Sequence, residues 1–223
     1  MGSERCPGCG GWLAEGLAMC SPCRAKEREA KAASSEIAER QAKERAEALE
    51  QTKAGFPELF HDTDKSRLHA ALVVAIDSHK PSERKSYVLF GETRAGKSRA
   101  AYLMAIAHAT VCRKPALFLP MRRLEGTIEK GFASKRHAFE MDNIAEVSFL
   151  VLDDLDKVRL TERMAVELFG LIDERTSNRR PTIITTNLNG SALEERLSKV
   201  DPNLAAPFVA RLREFFTPVS CFK

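Results

Sequence analysis

Gly91-Glu92-Thr93-Arg94-Ala95-Gly96-Lys97-Ser98 reads G-x-x-x-x-G-K-S, a phosphate-binding loop. The apolar run Ser86 to Phe90 precedes it and has the character of a short buried strand. Arg99 to Ala109 follows, rich in Ala, Leu and Met, and has that of a helix. Strand, glycine loop and helix form the setting in which this spacing carries meaning. The two glycines let the backbone curl until successive N–H groups face one phosphate. A helix starting near Lys97 adds its N-terminal partial positive charge. Lys97 is placed to reach β- and γ-phosphates, and the Ser98 hydroxyl to hold Mg²⁺. With glycine at about 7% of residues, the four fixed positions match by accident in roughly one chain of this length in a hundred. ATP is the expected nucleotide.

Further along, Val147 to Asp154 (V-S-F-L-V-L-D-D) is an apolar strand ending in two acids. Such a strand delivers Asp153 to the carboxyl edge of a sheet, beside the phosphate loop, where it holds Mg²⁺ directly or through water. Asp154 is then placed to polarise an attacking water. Pro181 to Asn187 (P-T-I-I-T-T-N) is a β-branched strand tipped by polar residues. Ala116 to Pro120 and Thr217 to Phe222 complete the strands. Helical patterns cover Ser66 to Ser78, Leu124 to Asn143, Met164 to Arg175, Ser191 to Leu197 and Phe208 to Phe216. Strands alternating with helices predict an α/β fold with a parallel sheet between helices. The nucleotide groups then collect at one sheet edge.

The N-terminus is of another kind. Cys6-Pro7-Gly8-Cys9 and Cys20-Ser21-Pro22-Cys23 are two C-x-x-C pairs separated by ten residues. Four thiolates from two tight turns make a closed tetrahedral site, which means structural Zn²⁺. About two dozen residues bury too little to fold alone, so the metal supplies the folding energy. Trp12 and Leu13 either cover that site or form a patch for a partner. Arg24 to Lys53 is almost all Ala, Glu, Lys, Arg and Gln, with no Gly or Pro, and reads as a solvated spacer helix ended by Gly55. Glu27/Lys31, Glu36/Arg40 and Glu39/Lys43 stand in the favourable i,i+4 order. The expected organisation is a zinc-binding module over 1–24, a charged linker helix over 25–54 and a nucleotide-binding domain over 55–223.

The chain has 223 residues, a net charge of +4 and six cysteines. No apolar run approaches the eighteen or so residues of a membrane span, and no signal-peptide pattern opens the chain. A cytoplasmic protein with metal-bound or free thiols is expected. Cys112 and Cys221 stand in apolar contexts and are expected to be buried.

The phosphate loop, F-L-V-L-D-D-L, the stretch D-E-R-T-S-N-R-R-P-T-I-I-T-T-N-L and V-A-R-L-R near the C-terminus together resemble an AAA+ ATPase of the DnaC/DnaI helicase-loader type, with the related IstB transposition ATPases. The resemblance spans roughly 55–222. It implies a P-loop domain without the helical lid of many AAA+ proteins. It makes Asn187 the sensor that orients the lytic water, and Arg211 the arginine finger reaching a neighbouring subunit's γ-phosphate. Phe208, Val209, Leu212 and Phe215 then pack inward, leaving Arg211 and Arg213 to point outward; the alternative is a salt bridge from Arg211 to Glu214 or Glu195. It further implies a homo-oligomer with ATP between subunits, a replicative helicase as partner, and single-stranded DNA bound through the region of Lys130, Phe132, Lys135, Arg136 and Phe139. The zinc module ahead of the ATPase resembles the DnaI-type layout. Two positions depart from the family. Asp154 stands where Glu is usual, one methylene shorter towards the water, and Arg94 stands where Gly is frequent. Two rival readings are a transposition helper and a non-hydrolysing, ATP-binding adaptor.

Overall fold

The computed structural model describes residues 5–12, 17–130 and 135–222, with the backbone alone for Lys130 and 135–139. It divides into two compact units, residues 1–44 and 45–223.

In the first unit the chain passes from Cys6 to Gly11 through a tight turn, closed by Gly10 N–H to Cys6 O (2.8 Å) and Cys6 N–H to Gly11 O (2.7 Å). Gly10 takes φ +72°, a left-handed value that glycine accepts without strain. Helix α1 (Ser21–Gly55) starts inside the second cysteine pair, three residues earlier than composition suggests. Along its exposed part Arg40 pairs with Glu44 (3.5 Å), not with Glu36 as spacing predicts. The expectation of solvation throughout fails at the C-terminal end. Ala48 and Thr52 are buried within the second unit, where Thr52 Oγ1 accepts the Ala116 N–H at 3.0 Å.

The second unit is built on five parallel strands: β1 (Ser86–Gly91), β2 (Ala116–Pro120), β3 (Phe149–Asp153), β4 (Thr182–Thr186) and β5 (Phe216–Cys221). Their order across the sheet is β2-β3-β4-β1-β5. Every residue of β3 and β4 is buried, which is why both read as unbroken apolar or β-branched runs. Strand period two divides them between cores. Phe149 and Val151 join Tyr87, Leu89, Tyr102 and Met104 on one side. Leu150 and Leu152 join Leu168, Ile172, Leu193 and Phe208 on the other. Helices α2 (Ala70–Ser78) and α3 (Lys97–Cys112) belong to the first core; α4 (Met121–Lys130), α6 (Glu162–Ser177), α7 (Gly190–Ser198) and α8 (Pro202–Phe215) contribute to the second, and α5 (Lys135–Glu146) packs beside α6.

Some elements differ from their sequence patterns for local reasons. The helix predicted from Ser66 begins at Ala70, because the Asp64 carboxylate takes the Ser66 N–H (2.9 Å) and closes a separate 3-10 turn. Leu68 is then extended and buried against the phosphate loop. Phe215 does not pack inward; it is 41% exposed. Helix α8 stops there, and Phe216 turns into β5 and fills the core in its place. Cys221 is buried as expected, whereas Cys112, at the last turn of α3, is half-buried.

Candidate functional site

The carboxyl ends of β1, β3 and β4 bring the predicted nucleotide groups to one cleft of about 460 Å³, lined by Thr93, Arg94, Gly96, Lys97, Ser98, Asp154 and Asn187, with a further wall from Phe60 to Leu68. Glu92 and Ala95 complete the loop backbone. Gly91 (φ +133°) lies so close to β5 that a Cβ would meet the Cys221 carbonyl carbon at 2.5 Å. Gly96 (φ +93°) would press a Cβ to within 2.4 Å of Leu68 Cδ2. Gly91 therefore admits no other residue, because a Cβ would strike backbone; at Gly96 a Cβ would displace the end of the Leu68 side chain and strain the left-handed backbone. Arg94 also has a left-handed backbone, φ +68°. This explains why glycine suits that position in similar loops; arginine holds it at a cost of about 1–2 kcal/mol.

Lys97 is 7% exposed. Its ammonium donates to Gly91 O (3.0 Å), Glu92 O (2.8 Å) and Asn187 Oδ1 (2.9 Å). Burial lowers its pKa, while Cys221, Asp156, Asp154 and Asp153 act in the opposite sense. The cation thus folds onto its own loop and touches the residue predicted as sensor, across ninety positions of sequence.

The acid strand is not adjacent to the loop strand, since β4 lies between them. Asp153 is joined to β4 through Thr185, whose hydroxyl donates to Asp153 Oδ1 (2.7 Å) and accepts the Asp154 N–H (2.9 Å). Burial raises the Asp153 carboxyl above its ordinary range, partly offset by hydrogen bonds from Ser98 and Thr185. The Ser98 hydroxyl thus lies on the side of Asp153 that faces the phosphate loop, and Thr185 makes the direct hydrogen bond. A buried carboxyl beside a hydroxyl, short of positive charge, is a donor set that fits a hard cation such as Mg²⁺. Asp154 sits in the left-handed region (φ 60°, ψ 54°) at the strand's end and lines the cleft.

Asp156 was not singled out by the sequence, yet it organises the site. Its Oδ1 accepts the Asn187 N–H (2.8 Å), and its Oδ2 accepts Asn187 Nδ2 (2.8 Å). Thr186 Oγ1 also donates to it (3.2 Å). Burial alone would raise this carboxyl, but the Asn187 bonds outweigh burial and leave it below the ordinary carboxylate range. Arg196 of α7 anchors the same turn through Asp156 O (2.6 Å) and Val158 O. Asn187 is therefore locked: its amide N–H₂ faces Asp156 and its oxygen faces Lys97. The only sequence signal was an acid three residues after Asp153.

Arg211 does not line this cleft. It forms an ion pair with Asp173 of α6, not with Glu214 or Glu195, and lies 5.3 Å from the Phe215 ring centroid. Arg213, more exposed, pairs with Glu194 at 3.8 Å. The side chains of Lys130, Phe132, Lys135, Arg136 and Phe139, expected to contact DNA, lie outside the described residues.

In the N-terminal unit the sulfurs of Cys6, Cys9, Cys20 and Cys23 all lie within 4.8 Å of one another. Cys20 Sγ is 3.6 Å from Cys6 Sγ and 3.7 Å from Cys9 Sγ. A tetrahedron with Zn–S bonds of about 2.3 Å has edges of about 3.8 Å, so the donor set fits zinc. The backbone N–H of Cys20, with smaller help from Gly8 and Cys9, pulls Cys6 down to about 6. Cys23 is pushed up to about 12 by hydrogen bonding to the Cys20 and Cys9 sulfurs. Trp12 does not cover it: the ring is 65% exposed, with Arg5 4.6 Å from its centroid. Leu13 lies outside the described residues.

Fold and cleft together define an α/β domain with a five-stranded parallel sheet and a phosphate-loop motif at its carboxyl edge. Its architecture is similar to the crystal structure of DnaI (TM-score 0.56, 19% identity, covering 72% of this chain and 86% of that one). It is also similar to the DnaC helicase loader (TM-score 0.52, 22% identity, 67% and 85%). A third similar structure is the replication initiator DnaA bound to AMPPCP and single-stranded DNA (TM-score 0.51, 15% identity, 67% and 44%). At these identities the likeness is one of fold. No protein-family model and no curated protein matches the chain. No helix among the described residues is long and apolar enough to cross a membrane.

Proposed function

We propose that this protein is an ATP-driven switch of DNA replication that loads a replicative helicase onto single-stranded DNA in the cytoplasm. One observation carries the reading: Lys97, Ser98, Asp154 and Asn187, from three separate strand ends, line one cleft, with Asp153 buried behind it at the end of β3. Bound ATP would draw the Lys97 ammonium from the carbonyls of Gly91 and Glu92 to the β- and γ-phosphates. Ser98 and Asp153 would hold Mg²⁺, which neutralises charge on those phosphates. Asn187, fixed by Asp156, would orient the attacking water, and Asp154 would polarise it. Arg211 would leave Asp173 for the γ-phosphate bound by the next copy, so that ATP joins subunits and hydrolysis releases them. The four N-terminal cysteines would hold one structural Zn²⁺ and present that module to the helicase. The likeness to DnaI and the DnaC helicase loader supports the choice of partner, and the DnaA complex supports ATP and single-stranded DNA.

Lys97→Ala tests the reading at its base. It should abolish ATP binding while the far-ultraviolet spectrum stays unchanged, and ATP-dependent co-purification of the replicative helicase should vanish with it. Wild-type ATP affinity in this variant would refute the assignment. A second reading, an adaptor that binds ATP without hydrolysing it, is favoured by the shorter Asp154. Steady-state phosphate release with and without single-stranded DNA separates the two.

A further inference from the structure

At the amino edge of the sheet, opposite the phosphate loop, a cleft of about 330 Å³ is lined by Arg84, Arg179, Arg180, Ser86, Thr176 and Phe215, together with Ser82 and Glu83. These residues come from the start of β1 and the turns just before β1 and β4, together with the last turns of α6 (Thr176) and α8 (Phe215). Arg84 and Arg179 both occupy the left-handed backbone region (φ 52° and 51°) and both are exposed. Neither guanidinium donates to a carboxylate or carbonyl among the described residues.

The charge around the cleft is strongly positive. Its one lining carboxylate, Glu83, is held by Lys85 (2.6 Å) and Lys80 (3.2 Å). Nearby, Arg175 is fully buried. It donates to Thr182 Oγ1 and to the carbonyls of Ile144, Ala145, Val147 and Pro181, and to no carboxylate. Burial brings its pKa down to about 9, so it still carries its charge at neutral pH. Arg180 is braced by Ala145 O (2.9 Å) and only loosely by Glu174 (3.4 Å). At the lip, Phe215 offers a 41% exposed aromatic ring that the core does not use and that carries only Arg211, 5.3 Å from its centroid, among the described residues.

We propose that this amino-edge cleft is a binding site for single-stranded nucleic acid, with Arg84 and Arg179 on consecutive phosphates and a base stacked on Phe215. Planar guanidinium forks match phosphate oxygens two at a time. Cations beside an exposed aromatic ring are the pairing by which single strands are held without sequence preference. A double helix cannot enter a cleft of this size, whereas one unstacked nucleotide can. The site goes beyond the DNA contact proposed for Lys135 and Arg136 and does not depend on it, nor on ATP.

The test uses the full chain and a short fluorescein-labelled oligothymidylate, followed by fluorescence anisotropy across a salt series without nucleotide. The Arg84→Glu/Arg179→Glu variant should bind at least about tenfold more weakly. The slope of log K against log salt should flatten by about 1.4, at about 0.7 for each single-strand phosphate that is no longer neutralised. Phe215→Leu should weaken binding by about fivefold or more while keeping the wild-type salt slope. Circular dichroism melts identify any variant that fails to fold, and Arg84→Gln/Arg179→Gln then replaces the charge reversal, with the same flattening expected. Lys135→Glu/Arg136→Glu is run in parallel. If that variant weakens binding while the amino-edge variants match wild type in affinity and slope, this site is refuted and the other contact stands. If polyglutamate displaces the oligonucleotide at equal charge concentration and Phe215→Leu changes nothing, the occupant is an acidic protein segment and the nucleic-acid assignment falls.

Discussion

Replacing Asp156 by asparagine isolates the device that holds Asn187, the residue proposed to orient the water. The carboxylate accepts from both the Asn187 N–H and Nδ2, each at 2.8 Å. The introduced amide would keep one oxygen, enough for the backbone N–H, but would set its own N–H₂ against Asn187 Nδ2. Two donors then face each other. Turning Asn187 over does not help, because its N–H₂ would then face the Lys97 ammonium, which now donates to Oδ1 at 2.9 Å. The substitution therefore removes one charge-assisted bond without a substitute, about 1.5–3 kcal/mol. At 1.4 kcal/mol per factor of ten, the equilibrium constant for holding Asn187 in this orientation falls about 10- to 150-fold. Because Asn187 is assigned to the water and not to the nucleotide, the loss should appear in kcat, with ATP affinity little changed. Steady-state phosphate release and equilibrium binding of a fluorescent ATP analogue measure the two quantities. Wild-type turnover in Asp156→Asn, or an equal loss of affinity and turnover, would refute the positioning argument.

Two further outcomes are expected. Protein purified under reducing conditions should contain one Zn²⁺ per chain by elemental analysis, and Cys20→Ser, which removes the sulfur nearest two others, should lose it together with the order of the N-terminal unit. Arg211→Ala should bind ATP yet hardly hydrolyse it, a deficit of about 10³-fold or more. Mixing it with Lys97→Ala should restore activity if the finger acts between chains, whereas a mixture that stays inactive assigns Arg211 to its Asp173 pair alone.

The sequence by itself determined the parts whose physics is local. The spacing of Gly91, Gly96, Lys97 and Ser98 specifies a phosphate loop because only that backbone curl brings its N–H groups together. Burial on both faces forces β3, up to its terminal Asp153, and β4 to be apolar or β-branched, so both strands were legible. The C-x-x-C pairs announced a cluster because each tight turn presents two sulfurs on one side. What depends on residues far apart in the chain was hidden. Strand order was one such feature: β4 separates the loop strand from the acid strand, so Thr185, not direct adjacency, connects Asp153 to the rest of the site. Asp156 looked like one more acid in a turn until the sheet brought Asn187 beside it. Arg211 pairs with Asp173 on α6 and not with Glu214 or Glu195, because helix packing, not spacing, decides which carboxylate a long side chain meets. The amino-edge cleft was invisible for the same reason. Arg84, Arg179 and Phe215 share no pattern along the chain, and only the parallel sheet, which starts all its strands at one edge, places them around a single opening.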